Sequence, residues 1–254
     1  MRSMRSMLIG ASLVATLFTG ISYAADHGKA HWGYEGKDGP KFWGELDPSY
    51  AACKTEKFQS PINIIESKAK KTSPNFVLDR MYSTDSSDIV NNGHTLQVGF
   101  EEGSYVSFND EDYQLVQLHF HTPSENQLNS KSYPAEVHMV HMDYTGNLLV
   151  VGIFIKEGQP NEAIQAVLRK APEKVNEPAS FTDFPLDSLL PTKISFYEFP
   201  GSLTTPPCSG NVTWVVMREP IQASKSQLQS LRKIMKNNAR DVQPLNGRTV
   251  TVTY

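Results

Sequence analysis

Hydrophobic and polar residues alternate with a period of two in several stretches of the chain. The alternation runs through HTLQVGF (94–100), SYVSF (104–108), YQLVQLHFH (113–121), AEVHMVHMDY (135–144) and the final TVTVTY. Such alternation is typical of strands with one buried face. Two continuous apolar runs, LLVVGIFI (148–155) and VTWVVM (212–217), are typical of strands buried on both faces. The pattern therefore predicts a chain rich in β-strands.

Helical periodicity is convincing in only two stretches, Asn161 to Ala171 and Ser226 to Asn237. The first opens with an asparagine that can cap a helix, and the second follows serines that can do the same. No repeat, low-complexity tract or flexible linker divides the chain. The sequence therefore predicts a mainly β (α+β) protein, a single domain around a large, mostly antiparallel twisted sheet with a few short helices.

The first 24 residues have the layout of a secretory signal peptide. Two arginines precede an apolar stretch from Leu8 to Ile21, and Ser22-Tyr23-Ala24 places small residues before a polar segment. An uncleaved membrane anchor is the alternative, but the apolar stretch is short for a span of about 20 residues. We therefore predict a signal peptide over 1–24, a domain over 25–254, and a periplasmic or secreted product without membrane attachment after cleavage.

The composition excludes some classes of protein. The 254 residues carry 24 lysines and arginines against 27 aspartates and glutamates, a formal net charge of −3, which is not the basic footprint of a nucleic-acid-binding protein. Hydrophobic residues make up 39% of the chain, enough to fill a core, so intrinsic disorder is not expected.

The chain has two cysteines, Cys53 and Cys208. In an oxidising compartment they have one intramolecular pairing available, with two free buried thiols as the alternative. A bond that closes so long a loop would stabilise the fold by about 5 kcal/mol in the chain-entropy model.

Candidate chemistry is concentrated in QLHFHTPSEN (117–126) and AEVHMVH (135–141). His119 and His121 are two positions apart, so on a strand both imidazoles face the same side. His138 lies far enough along the chain to belong to an adjacent antiparallel strand after a loop. Three neutral imidazoles that leave a fourth position open form the ligand set of a catalytic zinc. The sequence therefore predicts one Zn²⁺ per chain.

His138 and His141 are three positions apart and face opposite sides of a strand, so only one of them can join the pair. We favour His138 because Glu136 shares its face and could accept its second ring N–H, as is usual for a metal-bound histidine. His141 is then expected to be a core histidine satisfied by a backbone group. Gln117 shares the face of His119, and its amide oxygen could accept a hydrogen bond from that ring.

The chain resembles the α-class carbonic anhydrases along most of its length. The motifs that carry the resemblance occur in the family's order and are HWGY (31–34), SPINI (60–64), NNGH (91–94), QLHFHTPSEN, PAEVHMVH, GSLTTPPC (201–208), VTWVVM and PLNGR (244–248). GSLTTPP together with the histidine pair is highly specific, whereas HxH alone is weak. Asn126 departs from the pattern, because many members have histidine there. The resemblance implies one domain around a large, mostly antiparallel sheet, with zinc at the base of a cone-shaped cleft.

The resemblance also implies the reversible hydration of CO2 to bicarbonate and a proton, by attack of a zinc-bound hydroxide that the three histidines hold. Thr204 would accept a hydrogen bond from the hydroxide and donate one to Glu125. A carboxylate can only accept, so the threonine must be the donor in that pair. Thr205 would be the neighbouring hydroxyl on the substrate side.

Further roles follow from the same resemblance. His94 would carry the released proton to solvent, since histidine has an unperturbed pKa of about 6.5. Cys53 and Cys208 correspond to a disulfide of many exported members. Uncharged CO2 would lie against an apolar wall made by Val140, Val150, Leu203, Val212 and Trp214.

Two other interpretations stay open. HFHTPSE also fits the HxH-x3-E core of cupin metal sites, although Tyr113 and Ser132 stand where that motif has glycines. A non-catalytic exported metal-binding module that is similar to carbonic anhydrases is the second alternative, but the chain keeps all three zinc histidines. In the favoured interpretation the partner is a small molecule, CO2 or bicarbonate, and not nucleic acid. A homodimer is compatible with the sequence.

Overall fold

The structure is a computed structural model that describes residues 30–73, 76–77 and 86–254. The signal peptide predicted over 1–24 lies outside these residues, so it and the predicted domain boundary stay predictions. Within the described part of the chain, no helix is long and apolar enough to cross a membrane.

The secondary structure of the described residues consists of short strands, a few long strands and four α-helices. The strands are β1 (Asn63–Ile64), β2 (Lys70–Lys71), β3 (Phe76–Val77), β4 (Ser86–Asn91), β5 (Leu96–Phe100), β6 (Tyr105–Phe108), β7 (Glu111–His121), β8 (Gln127–Leu128), β9 (Ala135–Met142), β10 (Leu148–Glu157), β11 (Ala179–Ser180), β12 (Phe196–Gly201), β13 (Val212–Ala223) and β14 (Thr251–Thr253). The α-helices are α1 (Trp43–Leu46), α2 (Ala52–Thr55), α3 (Glu162–Lys170) and α4 (Lys225–Met235), and 3₁₀ turns occupy Gly36–Asp38, Pro48–Tyr50, Glu66–Lys68 and Leu186–Leu189.

Among the described residues, 12 strands form one sheet, in the order β11-β4-β5-β7-β9-β10-β13-β12-β14-β2, with β6 paired to β7 and β3 to β6. Most neighbours are antiparallel, as predicted. The exceptions are β10 beside β13 and β14 beside β2, which are parallel. A parallel pair needs a long connection, and the chain between β10 and β13 contains α3, β11 and β12. The sheet is therefore mixed.

Both predicted helices are present, and each begins at a capping side chain. Asn161 accepts a hydrogen bond from the amide of Ile164 at the start of α3. At the start of α4, Ser224 and Gln227 form a capping box. The helices α1 and α2 were not predicted, because each has four residues and a single turn gives no periodic pattern.

The two faces of the sheet bury separate apolar clusters. Along β9, Val137 and Met139 belong to the larger cluster, which α3 and α4 cover. Val140 belongs to the smaller one, together with Val150 and Trp214. His138 shares the face of Val140, because side chains alternate along a strand. The predicted metal donors therefore lie on the face of the smaller cluster.

A disulfide joins Cys53 in α2 to Cys208. The chain has no free cysteine, so the predicted pairing is confirmed and the alternative of two buried thiols is wrong. Cys208 is fully buried and its amide donates to the carbonyl of Thr205 at 2.8 Å. The bond therefore anchors the end of the loop that carries Thr204.

We expect Cys53→Ser to lower the free energy of unfolding, by at most about 5 kcal/mol, because the unfolded chain loses its constraint. For the activity that the resemblance implies, we also expect slower turnover, because the loop around Thr204 loses its anchor. Urea unfolding and activity measured without reductant check both effects, and the Cys53→Ser/Cys208→Ser double variant controls for the free thiol. An unchanged free energy of unfolding together with unchanged activity would show that the bond does not hold this loop.

Candidate active site

Three histidines converge on the face of the smaller apolar cluster. His119 in β7 lies directly opposite His138 in β9, and His121 follows two residues later on the same face of β7. One ring nitrogen of each lies within 4.8 Å of the others. The structure thus brings together the three donors that the sequence singled out.

The chemistry of this cluster fits a metal ion. His121 Nε2 is buried without a hydrogen-bond partner, although buried polar groups almost always have one, so this nitrogen is available to a metal. Burial lowers the pKa of His121 to about 4 and holds the pKa values of His119 and His138 well below the usual range. All three rings are therefore neutral near pH 7, the form that binds a metal. Three imidazoles are a protein ligand set of catalytic zinc, in which the fourth position is taken by water or substrate.

Each of the three rings also meets an acceptor outside the cluster. His119 Nδ1 lies 2.9 Å from the amide oxygen of Gln117, and His121 Nδ1 lies 2.7 Å from the backbone carbonyl of Asn238. His138 Nε2 lies 3.3 Å from a carboxylate oxygen of Glu136, without the alignment of a hydrogen bond. Such acceptors fix the tautomer and the orientation of a ligand ring.

The carboxyl of Glu136 is fully buried and held by three donors. It accepts from the amides of Glu125 and Asn126 and from the side chain of Asn126, all at 2.9 Å. Asn126, which departs from the motif that the sequence resembles, therefore supplies a direct hydrogen bond to this carboxyl. Across the strand pair, a Cβ at Gly152 would lie 3.0 Å from Glu136 Oε1, so glycine leaves room for this carboxyl.

Glu125 lies between the histidines and the loop that carries Thr204. Its Oε1 accepts from the amide of Arg240 at 2.8 Å, and its Oε2 lies 3.4 Å from His121 Nε2. Burial raises the pKa of Glu125 to about 8, while the Arg240 amide and the Thr204 hydroxyl act in the opposite direction. The Thr204 hydroxyl thus lies close enough to influence the Glu125 carboxyl, and the hydrogen bond between the two stays a prediction.

The predicted apolar wall adjoins the histidine cluster. Val150 pairs with Val140 on one side and with Trp214 on the other, and all three side chains are buried. The Trp214 ring meets the His138 ring edge to face at a centroid distance of 4.8 Å. Val212 is buried in the same cluster, half-buried Leu203 packs against it, and Thr205 is half-buried. These residues together form an apolar surface beside the metal donors.

His94 lies outside the metal cluster and stacks on Trp32, with ring centroids 3.7 Å apart and planes at 9°. Burial and the charge of His31 lower the pKa of His94 to about 4. The backbone carbonyl of His94 accepts from the side chain of Asn238 at 3.0 Å. In this arrangement the ring is neutral but less basic than the sequence led us to expect.

His141 lies on the opposite face of β9 from His138 and is fully buried. Burial lowers its pKa to about 4, and hydrogen bonds to the backbone of Leu149 and Met139 oppose that shift. The prediction of a core histidine satisfied by backbone groups agrees with this arrangement.

Sequence reasoning missed two residues of the site, Asn238 and Arg240. Their contacts with His121 and Glu125 span 117 and 115 positions of the chain. The segment that contains them has no helix or strand, so no periodic pattern in the sequence predicts what it faces. Its place shortly before PLNGR is the one available signal.

The comparisons with known proteins agree with this geometry. A family model described as eukaryotic-type carbonic anhydrase matches residues 38–254. The chain is 36% identical over 243 residues to a carbonic anhydrase of Pectobacterium atrosepticum, covering 95% of this chain and 98% of the relative. It is 38% identical over 248 residues to a carbonic anhydrase of Nostoc sp., covering 96% and 94%. A solved α-carbonic anhydrase from Thermovibrio ammonificans, in complex with the inhibitor sulfanilamide, gives a TM-score of 0.83 at 42% identity, covering 88% of this chain and 100% of that one.

Proposed function

The chain belongs to the α-class carbonic anhydrases, and on that premise we propose that the cluster of His119, His121 and His138 is the site where it reversibly hydrates CO2 to bicarbonate and a proton. The observation that carries this proposal is the convergence of three buried, neutral imidazoles beside an apolar wall. When bound to the three imidazoles, zinc would supply a water whose pKa is about 7, as is established for this class of enzyme.

Thr204 and Glu125 orient the attacking oxygen. Above its pKa of about 8 the Glu125 carboxyl is ionised and can only accept, so the Thr204 hydroxyl then donates to it. The lone pairs of Thr204 are then left to accept from the nucleophile and to aim it at the carbon of CO2. Thr205 places a second hydroxyl on the substrate side.

The apolar wall holds the substrate. CO2 is uncharged and has no hydrogen to donate. A site for it therefore needs a complementary apolar surface that excludes water more than it needs hydrogen-bonding groups. Val140, Val150, Val212 and Trp214 are buried beside the histidines, and Leu203 closes the surface at the loop. Most of their burial stabilises the fold, and the part that faces the histidines excludes water from the reacting carbon.

His94 carries the released proton to solvent. While the ring is stacked on Trp32 its pKa is about 4, which is too low for efficient uptake of a proton near neutral pH. Rotation of the ring away from Trp32 toward water would restore a pKa of about 6.5. The two orientations together allow the imidazole to take up a proton on one side and release it on the other.

We expect His94→Ala to lower kcat by at least about tenfold and kcat/KM much less. Proton release limits kcat, whereas kcat/KM reports the attack on CO2, which does not involve His94. Stopped-flow hydration assays with and without added imidazole check this, and imidazole should restore kcat. His31→Ala removes the neighbouring exposed imidazole that helps to lower the pKa of His94, so in this comparison variant kcat should be equal to or above that of wild type. Failure of imidazole to restore the His94→Ala enzyme would make His94 an ordinary loop residue.

Metal analysis combined with stopped-flow CO2 hydration, with and without a chelator, tests the proposed function. One zinc per chain with chelator-sensitive hydration supports the proposal. Bound iron or manganese in place of zinc would count against the proposal, and zinc without turnover would support a non-catalytic metal-binding module.

We also propose that residues 1–24 direct export to the periplasm or the medium. The disulfide between Cys53 and Cys208 supports this location, because disulfides persist in oxidising compartments. Mass measurement of the purified mature protein tests cleavage after Ala24. Light scattering on the same sample tests the homodimer.

A further inference from the structure

Arg240 is a buried arginine whose guanidinium contacts no carboxylate among the residues that the structure describes. Its side chain is almost fully buried, and its guanidinium donates to Gln59 Oε1 at 2.7 Å, to the Ser60 carbonyl at 2.8 Å and to the Cys53 carbonyl at 3.2 Å. All three acceptors are neutral. Burying a charge in this way is costly, and burial lowers the pKa of Arg240 to about 10. Such a residue needs a reason beyond packing.

The backbone of Arg240 holds one half of the Glu125 and Thr204 pair. Its amide donates to Glu125 Oε1 at 2.8 Å. The guanidinium lies over the Trp43 ring, 5.6 Å from the ring centroid, and is fixed by the three acceptors. Because the side chain is anchored in this way, the backbone amide stays aimed at the Glu125 carboxyl.

The acceptors of Arg240 hold the other half of the pair. Gln59, which accepts from Arg240, donates through Nε2 to the Cys208 carbonyl at 3.0 Å. The amide of Ser60 donates to Ser202 Oγ at 2.9 Å, and the amide of Ser202 donates to Ser60 Oγ at 3.2 Å. Gln59 and Ser60 therefore form hydrogen bonds with both ends of the 202–208 loop, which carries Thr204.

We propose that Arg240 is a positioning residue for CO2 hydration: through one buried guanidinium it fixes both the Glu125 carboxyl and the Thr204 loop, and so sets the geometry between them. The proposal rests on the proposed roles of Glu125 and Thr204. A lysine cannot replace the arginine, because a single ammonium nitrogen lacks the planar fork that reaches acceptors in different directions.

Arg248 offers a matched control within the chain. It is also buried, and its guanidinium donates to the carbonyls of Leu245, Pro200 and Pro244 at 2.8–3.0 Å. These acceptors are neutral, as they are for Arg240, but none of them contacts Glu125 or Thr204 in the hydrogen bonds described. Arg248→Lys therefore reproduces the loss of a buried guanidinium without disturbing the pair.

A double-mutant cycle on the zinc-loaded enzyme tests the proposal. We expect Arg240→Lys to lower kcat/KM for CO2 hydration roughly tenfold in the wild-type background and less than about twofold in the Thr204→Ala background. We expect kcat to fall less than kcat/KM, since proton release through His94 is unaffected. Arg248→Lys should lower the melting temperature and leave kcat/KM unchanged. An equal fold loss for Arg240→Lys in both backgrounds would overturn the proposal.

Hydrogen exchange gives a readout that does not depend on activity. The amides of Leu203 and Cys208, which donate to Ser209 and Thr205 within the loop, should exchange faster in Arg240→Lys than in wild type, in both chelator-treated and zinc-loaded protein. Arg248→Lys should leave them unchanged. Unchanged exchange in Arg240→Lys would overturn the proposal.

A second variant keeps the test decisive if Arg240→Lys does not fold. Gln59→Leu removes the link to Cys208 and should show the same dependence on Thr204 and the same faster exchange, and an equal loss in both backgrounds would again overturn the proposal. A wild-type protein without hydration activity would instead count against the proposed function, and exchange alone would then decide the role of Arg240.

Discussion

His138→Ala is expected to abolish zinc retention and CO2 hydration together. A catalytic zinc site has three protein ligands, and the substitution leaves only His119 and His121. In the wild type, a Glu136 carboxylate oxygen lies 3.3 Å from His138 Nε2. The substitution removes this ring and leaves the buried carboxyl without it. Metal content after dialysis and a stopped-flow assay on the same sample measure both losses.

His141→Ala is the control for this variant, because it removes an imidazole from the same strand but from the opposite face. His141 is equally buried and lies in the larger core. We expect a loss of stability of about 2 kcal/mol, with one zinc retained per chain and kcat/KM close to wild type. Hydration by the His138→Ala protein would refute the assignment of His138 as a ligand.

Glu125→Gln is expected to lower kcat/KM on the order of 10²-fold while zinc is retained. The Arg240 amide donates to Oε1, so the glutamine must keep its carbonyl oxygen on that side. Its NH2 group then faces Thr204 and His121 as a donor. The Thr204 hydroxyl can no longer donate to this side chain, and its lone pairs turn away from the attacking oxygen. Stopped-flow kinetics and metal analysis measure the two quantities.

Glu198→Gln is the control for a glutamate that is half-buried outside the site. Glu198 accepts from Thr251 at 3.3 Å between β12 and β14. We expect kcat/KM to be unchanged in this variant. A Glu125→Gln enzyme with kcat/KM within about threefold of wild type would show that the direction of the Thr204 hydrogen bond does not control the reaction.

The part of the site that follows from strand alternation could be predicted from the sequence. The common face of His119 and His121, and the opposite faces of His138 and His141, depend only on the period of two. The pairing of Thr204 with Glu125 is predicted only from resemblance to a family, because nothing in the local pattern brings a loop at 204 to a residue at 125.

The remaining features depend on contacts that local patterns do not contain. The strand β12 was not predicted, because its sequence FYEFPG contains a proline and a glycine, which are typical of turns. The parallel pairing of β10 and β13 is set by packing across a long connection. The lowered pKa of His94 depends on its burial against Trp32. Arg240 is invisible to any short motif because its acceptors lie 180 positions or more away in the chain.

The hydrogen bond from His121 to the Asn238 carbonyl also has a consequence for when the metal centre can exist. The ring that binds the metal is oriented by a backbone group 117 positions later, so a growing or partly translocated chain that lacks residue 238 has an unoriented ligand. Contacts between residues so far apart along the chain are expected to form slowly in folding, because a long loop must close first. Zinc capture should therefore follow folding of the full chain. With the export proposed above, the metal would then come from the supply outside the cytoplasm.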